Sequence, residues 1–318
     1  MRAAVLHAHG EPPHLSDFDE PARDQDQALV EVTAAAINPV DVAMASGNFY
    51  SGAPPLPSVV GREGVGLVLE GDSLRAGTRV YFDSPVAPNG SFGERALVKE
   101  QAAIELPDGT DDALTVCFGI AGLAAWLALE WRAQLRPGET VLVLGASGPV
   151  GQIAVQAARV LGAGRVIAAA RSAEGLERAH ELGAHETVRI GAVNDLAEAF
   201  RQAGDGGVDV IVDPLWGEPA AAAVDAANQG ARLVQLGQSA GADSTIRSAS
   251  VRGKAMAILG HTNFATPPEV RRAAFLRMAA LGAVGDLTVD LERVPLDHVA
   301  DAWRRQGEHP GRKLVLIP

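Results

Sequence analysis

Apolar, β-branched runs alternate with helix-forming segments between about residues 119 and 261. The runs with the strongest strand pattern are VLVLG (141–145), RVIAAA (165–170), VDVIVD (208–213) and ARLVQLG (231–237). A strand–helix–strand alternation at this spacing predicts a parallel sheet with right-handed crossovers. KAMAILGH (254–261) predicts one more strand, so we expect a doubly wound α/β domain here.

The first third of the chain has a different pattern, with short strands separated by turns. ALVEVTAAAI (28–37), VGLVLEG and TRVYF are strand-like, while residues 52–66 are dense in proline and glycine and predict a long loop. After residue 261 the pattern predicts a helix at 268–281, another at 296–306 and a closing strand, KLVLI. The first third of the chain therefore predicts a mostly β domain ahead of the α/β segment.

Composition narrows the class of protein. The 318 residues are 47% hydrophobic and carry a net charge of -12, which opposes nucleic-acid binding. The single cysteine, Cys117, lies in an apolar stretch and permits neither an intrachain disulfide nor a cysteine-rich metal site. No secretory signal and no run of membrane-spanning length is evident. We expect a cytoplasmic protein with no nucleic-acid or membrane partner.

A glycine-rich turn follows the first strand of the α/β segment, in VLGASGPVGQIAVQ (143–156). In a doubly wound sheet this turn faces the ligand crevice, and the following helix presents N–H groups and a positive dipole end. Gly148 lets a pyrophosphate approach the backbone, and Gly151 lets the helix pack on the strand. The residues predicted to bind the cofactor here are Ala146, Ser147, Gly148, Pro149, Val150 and Gly151.

The end of the second strand indicates which dinucleotide binds. An acidic residue there would hold the ribose 2′-hydroxyl of NAD, whereas an arginine accommodates a 2′-phosphate. This strand runs into Arg171 and Ser172, and Glu174 comes only later. The pattern predicts NADPH, although an ordinary solvated arginine would give the same sequence. Leu236 and Gly237, after a later strand, are further predicted cofactor contacts.

Several motifs appear together in order along the whole chain. They are AINPVD (36–41), PLPSVVGREGVG (55–66), GSFGERALV (90–98), GASGPVG (145–151) and GRKLVLIP (311–318). Together they resemble the medium-chain dehydrogenase/reductase superfamily, in particular its zinc-independent quinone oxidoreductase branch. The resemblance implies a GroES-like domain (1–118 and 259–318), an inserted Rossmann domain (119–258) and a homodimer.

The resemblance also bears on metal and cofactor selection. Zinc-dependent members place a cysteine ligand where this chain has Asn38 and a histidine ligand where it has Arg62, so we expect no metal. The family often carries a lysine that reaches the 2′-phosphate where this chain has Gly175, and a tyrosine near the adenosine where it has Ile190. Selection of NADPH would then depend largely on Arg171.

The implied activity is hydride transfer from NADPH to a quinone or an α,β-unsaturated carbonyl. By resemblance, Asn38 lies near the nicotinamide as a cofactor and catalytic residue, and Tyr50 supplies a hydroxyl to the acceptor. Phe49 could instead occupy the tyrosine position, since SGNFYSG has one extra residue. His261, Asn263 and Phe264 follow the last strand of the nucleotide domain, where strand ends face the crevice. With Phe49 and Tyr50, these form the predicted substrate pocket.

Two other functions remain open on the sequence. One is an enoyl reductase acting on a particular biosynthetic or acyl substrate. The other is an NADPH-binding regulator with little turnover, which a phenylalanine in the tyrosine position would favour. Activity against an enoyl thioester with none on quinones would indicate the first, and NADPH binding without turnover would indicate the second.

Overall fold

The structure is a computed structural model that describes residues 1–49 and 52–318. It consists of two compact units. The first unit contains Met1–Ile120 together with Phe275–Pro318, and the second contains Ala121–Ala274. One unit is therefore built from both ends of the chain, and the other from a single uninterrupted segment.

The elements are numbered in chain order. The strands are β1 (Arg2–Leu6), β2 (His14–Asp17), β3 (Gln27–Ala36), β4 (Ser58–Val59), β5 (Gly64–Glu70), β6 (Arg79–Phe82), β7 (Arg95–Lys99), β8 (Ile104–Glu105), β9 (Thr140–Leu144), β10 (Arg165–Ala170), β11 (Glu186–Arg189), β12 (Val208–Asp213), β13 (Ala227–Gln235), β14 (Ala257–Gly260), β15 (Leu291–Pro295) and β16 (Lys313–Ile317). The α-helices are α1 (Pro39–Ala45), α2 (Asp112–Cys117), α3 (Leu123–Leu127), α4 (Pro149–Val160), α5 (Ala173–Glu181), α6 (Leu196–Ala203), α7 (Gly217–Ala226), α8 (Ser248–Gly253), α9 (Pro268–Ala283) and α10 (Val299–Gly307).

The first unit is built on a mostly antiparallel sheet with the order β15-β16-β3-β5-β6-β8, and β7 also pairs with β3. A smaller sheet has the order β2-β1-β4. β16 pairs with β3 through Val315 and Ala36, so it lies inside a sheet whose other strands come mainly from the first hundred residues. Alternate residues of β3 and β16 face a shared hydrophobic core, which holds the two ends of the chain together.

The second unit contains a parallel sheet with the order β11-β10-β9-β12-β13-β14. Strand order reverses between β9 and β12, and in open α/β sheets ligands bind at such a switch point, outside the carboxyl ends of the strands. Val141 to Leu144 of β9 are fully buried, as expected for a central strand covered on both faces. The doubly wound α/β fold predicted from the sequence is confirmed.

Some element bounds differ from those predicted. β13 begins at Ala227 rather than 231. Helix α6 begins at Leu196, and the Asp195 side chain caps it by accepting from the N–H of Glu198. We expected the second domain boundary near 258. In the structure β14 is the sixth strand of the parallel sheet, so the second unit continues to Ala274.

Residues 112–132 form a helical run that is interrupted at Gly119, where ψ is -113°. We expected no stretch of membrane-spanning length, yet this run meets the criteria of length and apolar composition. The most apolar 18 residues of this run are 78% buried inside the protein. Burial to this extent is typical of a helix in the core of a globular protein.

Candidate active site

The glycine turn connects β9 to α4 and uses its two inner glycines for different purposes. A Cβ on Gly151 would overlap the carbonyl oxygen of Gly145 and the Cα of Ala146, so this position must lack a side chain for the helix to pack. A Cβ on Gly148 would meet only the Gly145 carbonyl oxygen, 3.6 Å away. The space above Gly148 is therefore open, as a backbone that cradles a ligand requires.

Helix α4 begins directly at this open position. Gly148 is its extended N-cap residue, and Pro149 occupies the first helical position, where an N–H would have no intrahelical partner. The Val150 N–H lies in the same first turn, and such groups are free to donate to an anion. Ser147 is held in place because its carbonyl oxygen accepts a hydrogen bond of 2.9 Å from the Gln152 side chain.

Two arginines lie side by side at the carboxyl ends of β10 and β11. Ala170 pairs with Arg189, and the Nε of Arg189 donates to the carbonyl oxygen of Arg171 at 3.2 Å. Arg171 is exposed and forms no ion pair with any residue in the described ranges. Ser172 caps α5, and its Oγ accepts from the Gly175 N–H at 3.1 Å, so its hydroxyl proton is left to donate.

Gly175 explains one departure from the family pattern. A Cβ at this position would overlap the side chain of Ser147. The first turn of α5 is thus packed directly on the glycine turn, and a lysine at 175 would need the two segments to separate.

The turn after β12 packs on the same glycine turn. The Leu215 side chain would lie 3.1 Å from a Cβ on Gly145. Asp213, which is fully buried, accepts hydrogen bonds at Oδ1 from the N–H groups of Leu215 (2.9 Å) and Trp216 (2.8 Å). Burial raises the pKa of Asp213 to about 6, and its Oδ2 has no partner among the described residues. Sequence reasoning assigned Asp213 no role beyond ending the strand.

Asp213 stabilises an unusual backbone conformation. Trp216 has φ 58° and ψ -156°, a region that is almost exclusive to glycine. The Trp216 side chain is partly buried against the core of the second unit. The turn that faces the switch point is therefore held by one buried carboxylate.

The remaining predicted residues of the second unit lie at the ends of β13 and β14. The Leu236 N–H donates to the carbonyl oxygen of Asp213 at 2.8 Å. A Cβ on Gly237 would approach the Pro214 carbonyl oxygen to 2.9 Å. These contacts place Leu236 and Gly237 beside the β12 turn, at the same carboxyl edge as the glycine turn.

His261 follows β14 at this edge. Its Nε2 is 3.2 Å from Oδ1 of Asn263, and the edge of the Trp131 ring lies against it with 6.0 Å between centroids. Burial lowers the pKa of His261, so the imidazole is neutral at pH 7. Phe264 is half exposed. His261, Asn263 and Phe264 thus lie together after β14, and their place in the substrate pocket stays a prediction.

In the first unit, Asn38 precedes α1 and is 1% exposed. Its Nδ2 donates to the carbonyl oxygen of Ala36 (3.1 Å) and to Oε1 of Glu63 (2.7 Å). Its Oδ1 accepts from the Nζ of Lys313. Both amide hydrogens and the amide oxygen are engaged. We expected Asn38 to contact the nicotinamide, but in this arrangement its side chain has no free donor to offer.

Glu63 is the centre of this arrangement. It is fully buried and accepts hydrogen bonds from the Tyr81 hydroxyl (3.0 Å) and the Ile120 N–H (2.6 Å), besides Asn38. The ammonium of Lys313, which is 3% exposed, lies 3.6 Å from Oε1 of Glu63. We call Asn38, Glu63, Tyr81 and Lys313 the Glu63 network. Sequence reasoning did not identify it.

Burial sets the protonation of two other groups in the first unit. Asp41 accepts at Oδ2 from the Asn38 N–H at 2.7 Å, but its Oδ1 has no partner among the described residues, and burial raises its pKa to about 7. Burial also raises the pKa of the Cys117 thiol to about 12. Cys117 is therefore a protonated core residue and not a nucleophile.

The segment after α1 leads to the predicted tyrosine. Phe49 is half-buried, and its carbonyl oxygen accepts from the Gly52 N–H at 2.9 Å. Tyr50 lies outside the described residues. The choice between Phe49 and Tyr50 as the residue that faces the acceptor therefore stays a prediction.

The side chains of the first unit do not suit zinc. Within residues 1–49 and 52–318 no group of three or more histidine, cysteine, aspartate or glutamate side chains could hold a metal ion. The Oδ1 of Asn38 is already occupied by an ammonium, and Arg62 brings a positive charge where a ligand would have to donate a lone pair.

Comparison with known proteins defines the family. Residues 24–108 match the family described as Alcohol dehydrogenase GroES-like domain, and residues 149–278 match the family described as Zinc-binding dehydrogenase. Human quinone oxidoreductase is 30% identical over 327 residues, covering 100% of this chain and 98% of that protein.

Two further relatives bear on function. The quinone oxidoreductase of Thermus thermophilus, whose structures include a complex with NADPH, has a TM-score of 0.81 at 29% identity, with both chains covered completely. A phenolphthiocerol/phthiocerol polyketide synthase of Mycobacterium tuberculosis has a subunit that is 32% identical over 304 residues, which cover 92% of this chain and 14% of that protein.

A parallel nucleotide-binding sheet with a glycine turn, inserted between the two parts of a GroES-like unit, defines an oxidoreductase that uses a nicotinamide cofactor. The chain belongs to the medium-chain dehydrogenase/reductase superfamily, in its quinone oxidoreductase branch. The family and the GroES-like part of the fold predicted from the sequence are thus confirmed.

Proposed function

We propose that this protein is an NADPH-dependent, zinc-free reductase that transfers hydride to a quinone or an α,β-unsaturated carbonyl. The observation that carries the proposal is the pair Arg171 and Arg189 at the ends of β10 and β11. Glu174, the first acid after β10 in the sequence, is on α5 and pairs with Arg178 at 3.6 Å. Two guanidinium groups that form no ion pair among the described residues suit a 2′-phosphate and not a bare ribose.

When bound, NADPH supplies the hydride. The open backbone at Gly148 and the first-turn N–H groups of α4 hold the pyrophosphate, while Arg171, Arg189 and the Ser172 hydroxyl hold the 2′-phosphate. The packing of α5 on the glycine turn at Gly175 fixes the spacing between these two phosphate sites.

The acceptor needs little activation because its own conjugation carries the developing negative charge to oxygen. The protein must place the reacting carbon and offer one hydrogen-bond donor to that oxygen. We assign the donor to the Tyr50 hydroxyl. The Asn38 amide is fully engaged within the Glu63 network, so we assign it the task of holding the start of α1.

The test is NADPH oxidation against a panel of acceptors, with NADH in parallel: a benzoquinone, a naphthoquinone, a 2-alkenal, a cyclic enone and an enoyl thioester. We expect turnover with quinones or enones that is faster with NADPH. Tyr50→Phe, which removes only the hydroxyl, should then lose most of this turnover. Tight NADPH binding without oxidation by any acceptor would contradict the enzyme proposal and favour a regulator.

One comparison favours a second function. The similarity to a segment of a polyketide synthase extends over 92% of this chain. An enoyl reductase acting on a thioester is therefore the alternative, with the same cofactor contacts. Turnover of the enoyl thioester with none on either quinone would establish it over the first proposal.

Zinc independence has its own test. Because Lys313 occupies the amide oxygen of Asn38 and Arg62 cannot donate a lone pair, removal of metal should leave the rate unchanged. The measurement is the rate of acceptor reduction before and after dialysis against EDTA, together with the zinc content of the purified protein. Loss of activity that added zinc restores would contradict it.

A further inference from the structure

The Glu63 network joins four separate segments of the first unit. Asn38 stands at the start of α1, Tyr81 lies in β6, and Lys313 opens β16. Glu63 also accepts from the backbone of Ile120, the last residue of the first unit before the chain enters the second. A single carboxylate thus fixes residues that are far from it in the sequence.

The surrounding chain leaves room for this carboxylate. A Cβ on Gly119 would overlap Oε2 of Glu63 and the hydroxyl of Tyr81. Asn38, Glu63, Tyr81 and Lys313 are each between 0% and 3% exposed. The hydrogen bonds of the network are therefore shielded from water, and each has a specific direction.

Stability alone is a weak reason for such an arrangement. A buried ion pair often stabilises a fold no more than well-packed apolar side chains of the same volume, because both charges lose their hydration. What apolar side chains cannot do is fix the orientation of an amide. Here the ammonium holds the oxygen of Asn38 and the carboxylate holds its nitrogen.

We propose that Glu63 and Lys313 are positioning residues, which orient Asn38 and thereby fix α1 and the segment 46–49 that precedes Tyr50. The consequence for acceptor reduction rests on the proposed function, in which this segment carries the donor to the acceptor. Asn38 passes the constraint to α1 in two ways: its carbonyl oxygen accepts from the Asp41 N–H, and its own N–H donates to the Asp41 carboxylate.

The test uses the double variant Glu63→Gln/Lys313→Met. It removes both charges, keeps the side-chain volumes and leaves an amide oxygen to accept from Tyr81 and Ile120. The matched control is Glu139→Gln/Arg232→Met, which neutralises a bidentate pair in the second unit with N–O distances of 2.8 and 2.7 Å. Two measurements are made on each protein: hydrogen exchange of the 38–49 backbone, and steady-state kinetics with the best acceptor.

We expect the Glu63/Lys313 double variant to fold and to bind NADPH with unchanged affinity. Exchange in 38–49 should become faster, and kcat should fall by about 10- to 100-fold, because misplacement of a reacting group by about 1 Å has costs of that order. The control should show neither change. Unchanged exchange in 38–49, or faster exchange with unchanged kcat, would overturn the proposal.

The two measurements separate this proposal from the proposed function. If the wild-type protein reduces no acceptor, the proposed function fails, and hydrogen exchange alone still decides whether the pair fixes 38–49. The single variant Lys313→Met provides a third comparison. It leaves Glu63 buried without its counter-charge, so it should lose thermal stability that the double variant recovers. Recovery of both stability and kcat in the double variant would indicate a purely structural pair.

Discussion

Arg171 is the side chain on which the proposed cofactor preference depends most. It is exposed at the end of β10, with Arg189 beside it and no acid within the turn. A guanidinium gains a charge-assisted, bidentate contact with a phosphate that a ribose hydroxyl cannot match. A single substitution at this position can therefore test the proposed preference for NADPH.

We predict that Arg171→Gln raises the KM for NADPH by about 10- to 100-fold, since a hydrogen bond to a charged group contributes about 1.5–3 kcal/mol. The KM for NADH should change little. Steady-state kinetics with both cofactors measures the effect, and Arg159→Gln, an exposed arginine near the other end of α4, is the control. An equal rise in the KM for NADPH and for NADH would rule out recognition of the 2′-phosphate by Arg171.

Asp41 predicts a pH dependence of stability. Its pKa rises from an ordinary 3.8 to about 7 in the fold, so between these values the folded protein binds a proton that the unfolded chain has released. The resulting stability is fully present below pH 3.8 and is lost as the pH rises through 7.

The free energy of unfolding should therefore fall between about pH 5 and about pH 8 in the wild type, and fall less in Asp41→Asn. Urea unfolding at the two pH values measures it. Asp213→Asn gives a comparison in the second unit, where the carboxyl has a pKa of about 6. The loss of stability due to Asp213 should therefore be complete at a lower pH than the loss due to Asp41. Equal slopes in wild type and Asp41→Asn would show that Asp41 titrates normally.

At the scale of elements, the turn between β9 and α4 assigns separate roles to two glycines. Gly151 is enclosed by the backbone of Gly145 and Ala146, whereas Gly148 faces open space. We predict that Gly151→Ala lowers the melting temperature, because the turn must separate from the helix. Gly148→Ala should leave it unchanged and weaken NADPH binding, because the added methyl group occupies the space of the pyrophosphate.

Thermal melting and NADPH titration of both variants measure these effects. The variants act as controls for each other, since each adds one methyl group to the same turn. Normal NADPH affinity in Gly148→Ala would place the pyrophosphate elsewhere.

The strands of the parallel sheet could be predicted to within a few residues because buried β-branched runs stand out against helical segments. The prediction was less accurate where residue types suit both states. The alanine-rich stretch contains the end of α7 at Ala226 and the start of β13 at Ala227, and no change of pattern marks that boundary. The hydrophobic pattern alone does not indicate the start of α2, which Asp111 caps by accepting from the Leu114 N–H at 2.8 Å.

The glycine turn and the Glu63 network also differed in how well they could be predicted from the sequence. The glycine turn between β9 and α4 could be predicted because its geometry depends on the spacing of residues within one short segment. The Glu63 network could not, because Asn38 and Lys313 are 275 positions apart and meet only when β16 enters the sheet beside β3. On the sequence, a lysine at the start of a strand indicates an exposed position, and the fold overrides that expectation.

At the scale of the whole molecule, β14 is one of the two edge strands of the parallel sheet. In the described chain β14 pairs only with β13, and Ile258 in β14 is 39% exposed. An unpaired edge with apolar side chains is suited to pairing with a second copy of itself about a two-fold axis. This is consistent with the homodimer that the family resemblance implies.

We predict that the wild-type protein is a homodimer by size-exclusion chromatography with light scattering. Ile258→Lys should yield a monomer, because the charge opposes pairing across the two-fold axis. Val284→Lys, at an exposed position outside the second unit, should leave the mass unchanged. A monomeric wild-type protein would exclude pairing of β14 with β14 of a second copy.

The place of β16 has a consequence for how the protein is made in a cell. Residues 121–274 contain all six strands of their sheet and leave the ribosome as one block, whereas the first unit cannot complete its sheet until 313–317 have been synthesised. The same late strand brings Lys313, the counter-charge of Glu63. A chain that is cut short before this strand would contain every strand of the parallel sheet but would lack the residue that holds the amide oxygen of Asn38. Incomplete synthesis would thus leave the proposed cofactor-binding segment whole and the first unit without its last strand.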